Sequence, residues 1–236
     1  MSFKKHIYYL FILALMSCRP SSEDLLEAAL YHMDHKNYKN VVDITGQILR
    51  YDSLNPHVFN LRGLAFLELQ NLDESINCYN YSIFLDSFNY LTYHQRGKAY
   101  YQIGSIPKSI DDMNQALSLM KEDAELYFQR GTILLNIQEY KKAIKDFRKA
   151  LEFDPDNPNI HFNLAEAKFK LEDYSGAERN YRKAISLDKN LIKAYHGLGL
   201  CLIQQNKKES GCIVLLKAKG AGNKNAIKTY YKHCDN

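Results

Sequence analysis

Apolar residues recur along this chain at the spacing of amphipathic helices, and the pattern itself repeats. The stretch from Tyr90 to Asn157 divides into two lines that align without a gap, with Gln-Arg-Gly over Gln-Arg-Gly. Gly97 and Gly131 at the ends of these tripeptides are 34 residues apart. Further steps of this length reach small residues: Ala29, Gly63, Ala165 and Gly199. A fixed period with a small residue at one phase indicates a repeat architecture.

Other phases of the period are equally regular when each unit is numbered so that this small residue is position 8. Position 24 is bulky after the first unit: Tyr79, Met113, Phe147, Tyr181 and Leu215. Position 27 is alanine in the later units: Ala116, Ala150, Ala184 and Ala218. Alternation of large and small residues predicts two antiparallel helices that interlock in each unit. The predicted repeat-packing positions are Gly63, Gly97, Gly131, Ala165 and Gly199.

These offsets resemble the tetratricopeptide repeat. The residues that follow its pattern most closely are Tyr127, Gly131, Ala143, Phe147, Ala150 and Pro155. The resemblance implies an all-α, right-handed α-solenoid of about six 34-residue helix-turn-helix repeats plus a C-terminal capping helix. The predicted units are 22–55, 56–89, 90–123, 124–157, 158–191 and 192–219, followed by a breaker and capping helix over 220–236. Ile227, Tyr230 and Tyr231 are predicted to face inward from that helix, and Ser22 is predicted to cap the first one.

The N-terminus has the pattern of an export signal. Lys4 and Lys5 precede an uninterrupted apolar run of ten residues, Ile7 to Met16, which is too short to span a bilayer. The run leads to Leu-Met-Ser-Cys, which resembles a bacterial lipobox. This implies a lipoprotein signal peptide over 1–17, acylation of Cys18 and a short tether over 18–21. An ordinary secretory signal and an uncleaved anchor are the alternatives. Many Gram-negative bacteria retain lipoproteins with Asp after the cysteine at the inner membrane, but here Arg19 follows it. The resemblance therefore implies a location in the bacterial cell envelope, lipid-anchored, at the outer membrane facing the periplasm.

Charge is distributed unevenly along the chain, although the formal net charge is only +4. Residues 22–55 contain six acids and three bases, whereas residues 192–236 contain two acids and eight bases. The basic end contains Lys207, Lys208, Lys217, Lys219, Lys224, Lys228 and Lys232. These lysines form either a solvated face or a patch for an acidic partner. An exported chain without a nucleic-acid-binding motif is not expected to bind nucleic acid.

The sequence contains no pattern that indicates catalysis. No Cys-x-x-Cys, zinc-ligand spacing, Ser/His/Asp set or phosphate-binding glycine loop occurs, so we expect no enzyme activity, no metal and no cofactor. His161 is predicted to be a packed, hydrogen-bonded residue. Arg62, Arg96 and Arg130 recur at position 7, either as an anion-binding ladder or, as we favour, as structural residues paired with acids.

Two cysteines of the last unit could meet. Cys201 and Cys212 lie at positions 10 and 21, roughly level across an antiparallel helix pair. The periplasm would permit a disulfide between them. Two separate buried thiols are the favoured alternative.

In the tetratricopeptide family, the first helix of each unit lines a concave groove that binds protein segments. The corresponding positions here are Asn60, His94, Gln95, Lys98, Phe128, Gln129, Phe162, Asn163, Glu166, Lys193 and His196. Exposed rings could anchor a protein or peptide partner, and the amides could satisfy its backbone.

The resemblance therefore implies a membrane-tethered scaffold that assists assembly of an envelope complex. Six such repeats after a lipobox resemble the pilotin lipoproteins of type IV pili and, more loosely, the repeat lipoprotein of outer-membrane β-barrel assembly. An adaptor that docks a cell-wall enzyme or secretion component is a second possibility. A small-ligand binder or enzyme is the third.

Overall fold

A computed structural model describes residues 20–235 of the chain. Within this range all regular structure is helical, and the helices are numbered here α1 to α13 in chain order. They are α1 Ser22–Asp34, α2 Tyr38–Ile48, α3 Pro56–Glu68, α4 Leu72–Leu85, α5 Tyr90–Gln102, α6 Ile106–Leu119, α7 Ala124–Asn136, α8 Tyr140–Phe153, α9 Pro158–Lys170, α10 Tyr174–Leu187, α11 Ile192–Gln204, α12 Lys208–Gly220 and α13 Lys224–His233. The described chain forms two compact units, one ending at Asp112 and the other beginning at Met113.

The first helix of each central repeat begins at a polar cap that recurs with the repeat. Asn55, Asn89, Asp123 and Asn157 each accept hydrogen bonds from backbone N–H groups of the helix that follows. These bonds satisfy donors that have no partner inside a helix. At α1 the cap is Ser21, which forms a capping box with Asp24, so the assignment of Ser22 as the cap was wrong by one residue.

The turn inside each repeat has one residue in the left-handed backbone region. These residues lie 34 positions apart, at Lys36, Gln70, Gly104, Gln138, Glu172 and Asn206, with φ between 57° and 77°. Each turn reverses the chain within a few residues of the preceding helix end. Between α3 and α4, for example, the connection is 69–71.

Small and large residues interlock between the two helices of a repeat. A Cβ atom added to Gly63 would lie 2.8 Å from Tyr79 Cε1, and one added to Gly131 would lie 2.8 Å from Phe147 Cε1. Both rings are fully buried. In two repeats a serine replaces alanine at position 20, and its hydroxyl is satisfied locally: Ser75 donates to the Gly63 carbonyl. The equivalent bond to the Gly97 carbonyl comes from Ser109.

The C-terminal helix α13 packs against the last repeat. Ala226 is fully buried with Tyr195, Leu215 and Ala218, and Tyr230 packs at the margin of this cluster. Tyr231 is 53% exposed, so its prediction as an inward-facing residue was wrong. A disulfide joins Cys212 of α12 to Cys234, directly after α13. A disulfide between Cys201 and Cys212 was one possible interpretation of the sequence, but Cys201 is a free, buried cysteine.

The prediction of an all-α repeat solenoid is confirmed by these helix pairs. No helix in residues 20–235 has the length and apolar character needed to cross a membrane. The predicted signal peptide, lipid attachment at Cys18 and the start of the tether fall on residues 1–19, outside the described range, and stay predictions.

Candidate peptide-binding groove

Two aromatic side chains of the predicted groove occupy equivalent places in successive repeats of the second unit. Phe128 of α7 lies against the buried Phe147, with ring centroids 6.1 Å apart. Phe162 of α9 lies in the same way against the buried Tyr181, at 5.9 Å. Both rings are half-buried. The buried aromatic residue of each repeat, Phe147 or Tyr181, therefore packs against the groove ring, Phe128 or Phe162.

Phe162 also contacts the next repeat. The Nζ atom of Lys193 lies 4.3 Å from the centroid of the Phe162 ring, within cation–π range. Lys193 is itself exposed, so the ring and the ammonium group are presented together at the surface. An aromatic face beside a positive charge suits a segment with both apolar and acidic side chains.

A pocket of about 200 Å³ opens beside this pair in the second unit. Its lining includes two predicted groove residues, Glu166 and His196, together with Phe169, Lys170, Tyr181, Gly197 and Leu200. Gly197 leaves space for the Tyr181 ring, since an added Cβ would overlap that ring. The pocket has the size of one amino-acid side chain rather than of a drug-sized ligand.

The polar groups of the pocket are held by neighbouring residues. The Tyr181 hydroxyl donates to Glu166 Oε1, and burial followed by the nearby Glu166 charge raises the pKa of Tyr181. His196 Nε2 lies 3.0 Å from Thr229 Oγ1 of α13. Burial lowers the pKa of His196, although Glu166 acts in the opposite direction. The lowered pKa favours the neutral imidazole at pH 7, and the other ionisable side chains besides Tyr181 in the lining are Glu166 and Lys170.

The two groove amides of the second unit are already partly engaged. Asn163 Nδ2 donates to Thr132 Oγ1 at 3.1 Å, and Gln129 Nε2 donates to Glu125 Oε1 at 2.6 Å. These bonds orient the amides from the adjacent helix and from the preceding turn. Their role toward a partner stays a prediction.

The remaining predicted groove residues lie in the first unit. Asn60 Nδ2 donates to Thr92 Oγ1 at 2.7 Å, and His94 is buried, with 8% of its surface exposed. Gln95 and Lys98 are half-buried. Burial makes His94 a poorer contact for a partner than the sequence suggested.

The repeated arginines at position 7 belong to the scaffold. Arg96 forms two hydrogen bonds with Asp112, and Arg130 forms two with Asp146, which confirms the structural interpretation for both. Arg62 bonds the Val42 carbonyl instead of an acid. The guanidinium groups are therefore not an anion-binding ladder.

Part of the basic C-terminal end is also engaged within the protein. Lys217 Nζ donates to the Tyr195 hydroxyl at 2.8 Å, and Lys219 lies over the rings of Tyr230 and Tyr231 at 4.2 and 4.1 Å. Lys208 and Lys232, with His233, line a more open pocket of about 350 Å³.

His161, predicted to be packed, is half-buried and bonds the Pro155 carbonyl through Nε2.

Two family models of repeated sequence match parts of the chain in its second unit. A family model described as "TPR repeat" matches residues 133–172, and one described as "Tetratricopeptide repeat" matches residues 158–191. No curated protein matches the chain in sequence.

Solved structures resemble the chain over most of its length. One, from a functional characterization of Pseudomonas aeruginosa pilF, has a TM-score of 0.77 at 13% identity and covers 89% of this chain and 97% of that one. A tetratricopeptide repeat protein from Parabacteroides merdae has a TM-score of 0.72 at 20% identity, covering 84% and 79%. YrrB, described as a TPR protein with an unusual peptide-binding site, has a TM-score of 0.70 at 16% identity, covering 78% and 96%. At these identities the likeness shows the fold. Residues 133–191 match the two repeat models, and the helix pairs of residues 20–235 have the fold of tetratricopeptide repeat proteins.

Proposed function

We propose that this protein is a non-enzymatic, membrane-tethered scaffold that binds a segment of another protein in the groove of its second unit. The observation that carries the proposal is the group formed by Phe162, Lys193 and the adjacent pocket. It offers an apolar face, a positive charge and space for one side chain. Anchors of this kind supply most of the affinity in protein–protein contacts.

The solved structures support a binding role without naming the partner. YrrB is described as having a peptide-binding site, and the described fold of this chain resembles it. Six repeats after a lipobox-like N-terminus resemble the pilotin lipoproteins of type IV pili, which favours assistance in assembling an envelope complex. Shared architecture alone does not transfer a function, so the partner must be found by experiment.

A partner captured from detergent-solubilised envelopes provides the test. Replacing both groove rings, in Phe128→Ala/Phe162→Ala, should weaken its binding by more than about tenfold, because each buried anchor contributes about 2 kcal/mol. The control is Phe147→Ala, whose ring is fully buried and whose loss should mainly lower stability.

The alternative binding mode is a charge-driven contact, in which an acidic partner docks on the basic last repeat and α13. In that case binding should collapse in high salt and in Lys224→Glu/Lys228→Glu/Lys232→Glu, while the double phenylalanine variant binds normally. Strong binding by the double phenylalanine variant at both low and high salt would rule out the groove.

The tether has a separate test at Cys18. In Cys18→Ala the chain should stay uncleaved or become soluble, since lipid rather than a spanning helix would hold the processed protein. Wild-type protein should incorporate labelled palmitate. A processed Cys18→Ala chain that still fractionates with membranes, together with unlabelled wild type, would show that the lipoprotein interpretation is wrong.

A further inference from the structure

The four most exposed large apolar side chains in the described part of the first unit are those of Tyr51, Leu54, Phe84 and Phe88. Phe84 and Phe88 are 83% and 80% exposed, and Tyr51 and Leu54 are 68% and 70% exposed. Single exposed apolar residues are normal on protein surfaces, whereas a group of them marks a contact surface. These four residues are called here the aromatic edge.

The helix directions place the four residues at one edge of the first unit. Short connections reverse the chain at 35–37, 49–55, 69–71 and 86–89. Tyr51 and Leu54 lie in the connection from α2 to α3, Phe84 lies in the last turn of α4, and Phe88 lies in the connection from α4 to α5. Both connections join the end of one repeat to the start of the next, so they share an edge. The turns within repeats lie at the opposite edge.

The chain enters the first unit at this same edge. Helix α1 begins at Ser22 and runs toward its turn at 35–37, as α3 and α5 run toward theirs. The described structure therefore starts beside the connections that carry the aromatic edge. The 19 residues before Pro20 contain the ten-residue apolar run and Cys18. Only Arg19 to Ser21 separate Cys18 from the helix, a reach of about 10 Å.

We infer that the aromatic edge contacts the surface of the lipid bilayer to which the chain is tethered. The inference rests on the tether of the proposed function. Aromatic side chains favour the interface between headgroups and acyl chains. A short tether at the same edge holds the rings near the bilayer, where even a weak contact is populated.

Charge at this edge selects the kind of lipid contact. Four acids, Glu23 and Asp24 at the start of α1 and Asp52 and Asp86 beside the exposed rings, outnumber the two bases Arg19 and Arg50. An acidic edge is not attracted to anionic headgroups, in contrast to the polybasic segments that recognise them. The contact is therefore made by ring insertion and does not weaken in high salt.

Fluorescence of the full chain in vesicles tests the inference, because the sequence contains no tryptophan. Phe84→Trp and Phe88→Trp each place one reporter on the aromatic edge. Ile103→Trp is the matched control, since Ile103 is 46% exposed and follows α5 at the opposite edge. The vesicles are phosphatidylcholine with a fraction brominated on the acyl chains.

Both edge reporters should lose roughly half or more of their emission to the brominated lipid and resist iodide in the water. The control should show the reverse. Addition of about 1 M salt, which shortens the Debye length to about 3 Å, should not change either result. Edge reporters that stay open to iodide in protein that floats with vesicles would overturn the lipid contact while leaving the tether intact.

Two other outcomes would also overturn the inference. A blue-shifted edge reporter that brominated lipid does not quench would mean that protein, such as a second copy of the chain, covers the rings. Protein that does not float with the vesicles would overturn both the lipid contact and the tether, but not the groove, which is tested by partner binding.

Discussion

The guanidinium of Arg130 holds the carboxylate of Asp146 through two hydrogen bonds, each 2.7 Å long, between the two helices of one repeat. A third bond, from Arg130 Nη1 to Asn114 Oδ1 at 2.8 Å, reaches the second helix of the preceding repeat. The same arrangement occurs 34 residues earlier, where Arg96 bonds Asp112 and Asn80. One side chain thus connects three helices and fixes the stacking of adjacent repeats.

Replacing Arg130 should lower the stability of the folded protein more than replacing Asp146. Asp146 is 5% exposed and would be left buried without its partner in Arg130→Ala, whereas Arg130 is 21% exposed and can turn to water in Asp146→Ala. We expect a loss of about 2–4 kcal/mol for Arg130→Ala and about 1–2 kcal/mol for Asp146→Ala. Urea unfolding of both variants measures the difference.

The double variant Arg130→Ala/Asp146→Ala is the control for that pair. Its free energy of unfolding should fall by less than the sum of the decreases in the two single variants, since the two residues share one interaction. Additive losses, or an Asp146→Ala variant that is the less stable of the two, would contradict the proposed coupling.

The helix pairs could be predicted from sequence because each repeat encodes them again. Gly131 and Phe147 are one instance of a small–large match that recurs at the same offsets, so the register is specified several times. The packing reason is local, since a bulky ring requires a nearby residue without a side chain. A single degenerate unit, such as the one with Thr45 at the bulky position, does not disturb this register.

The C-terminal cap could not be predicted in the same way, because it occurs once. Which of Tyr230 and Tyr231 faces inward depends on how α13 meets the last repeat, and adjacent helical residues differ by about 100° in direction. The same docking decides that Cys234 rather than Cys201 reaches Cys212.

For the groove, the family pattern predicted which positions line it. Only the structure showed that Phe162 and Lys193 are in contact and that His94 is buried.

Gly131 tests the close approach of the two helices in one repeat. We predict that Gly131→Leu lowers stability by about 1–3 kcal/mol or more, because a Cβ there would already meet the buried Phe147 ring at 2.8 Å. Leucine is the better helix former, so a propensity effect alone would raise stability. Thermal unfolding of the full chain distinguishes the two signs.

Gly220 provides the matched control for this substitution. It ends α12, and an added Cβ would meet nothing within 4 Å. Gly220→Ala should therefore be neutral or slightly stabilising. A melting temperature of Gly131→Leu at or above that of the wild type would contradict the close packing.

The disulfide between Cys212 and Cys234 should hold α13 on the last repeat. Since it closes a loop with a sequence separation of 22, its loss should weaken the docking of α13 by about 3 kcal/mol. A reductant should make wild-type protein sensitive to proteolysis around Gly220–Asn223. The Cys212→Ala/Cys234→Ala variant should be sensitive with or without reductant. Equal resistance of wild-type protein in both conditions would mean that packing alone holds the helix.

Stability should also depend on the protonation of His196, whose ring joins α11 to α13 through Thr229. Burial lowers the pKa of His196 below its ordinary value of 6.5. At a pH between 6.5 and the lowered pKa of the folded state, the imidazole binds a proton in the unfolded chain but not in the folded chain. The folded state therefore loses stability as the pH falls through this range. The contribution of His196 is therefore complete above pH 6.5 and is lost as pH drops toward the lowered value.

Comparison of His196→Gln with the wild type isolates this effect from the other titrating groups. The melting temperature of the wild type should fall more between pH 7.5 and pH 5.5 than that of His196→Gln, because glutamine binds no proton over this range. His57→Gln, at an exposed position, should keep the wild-type difference. If His196→Gln shows the same fall as the wild type, the buried imidazole does not control the docking of α13. If the fall is smaller in the wild type, Glu166 rather than burial dominates at this site.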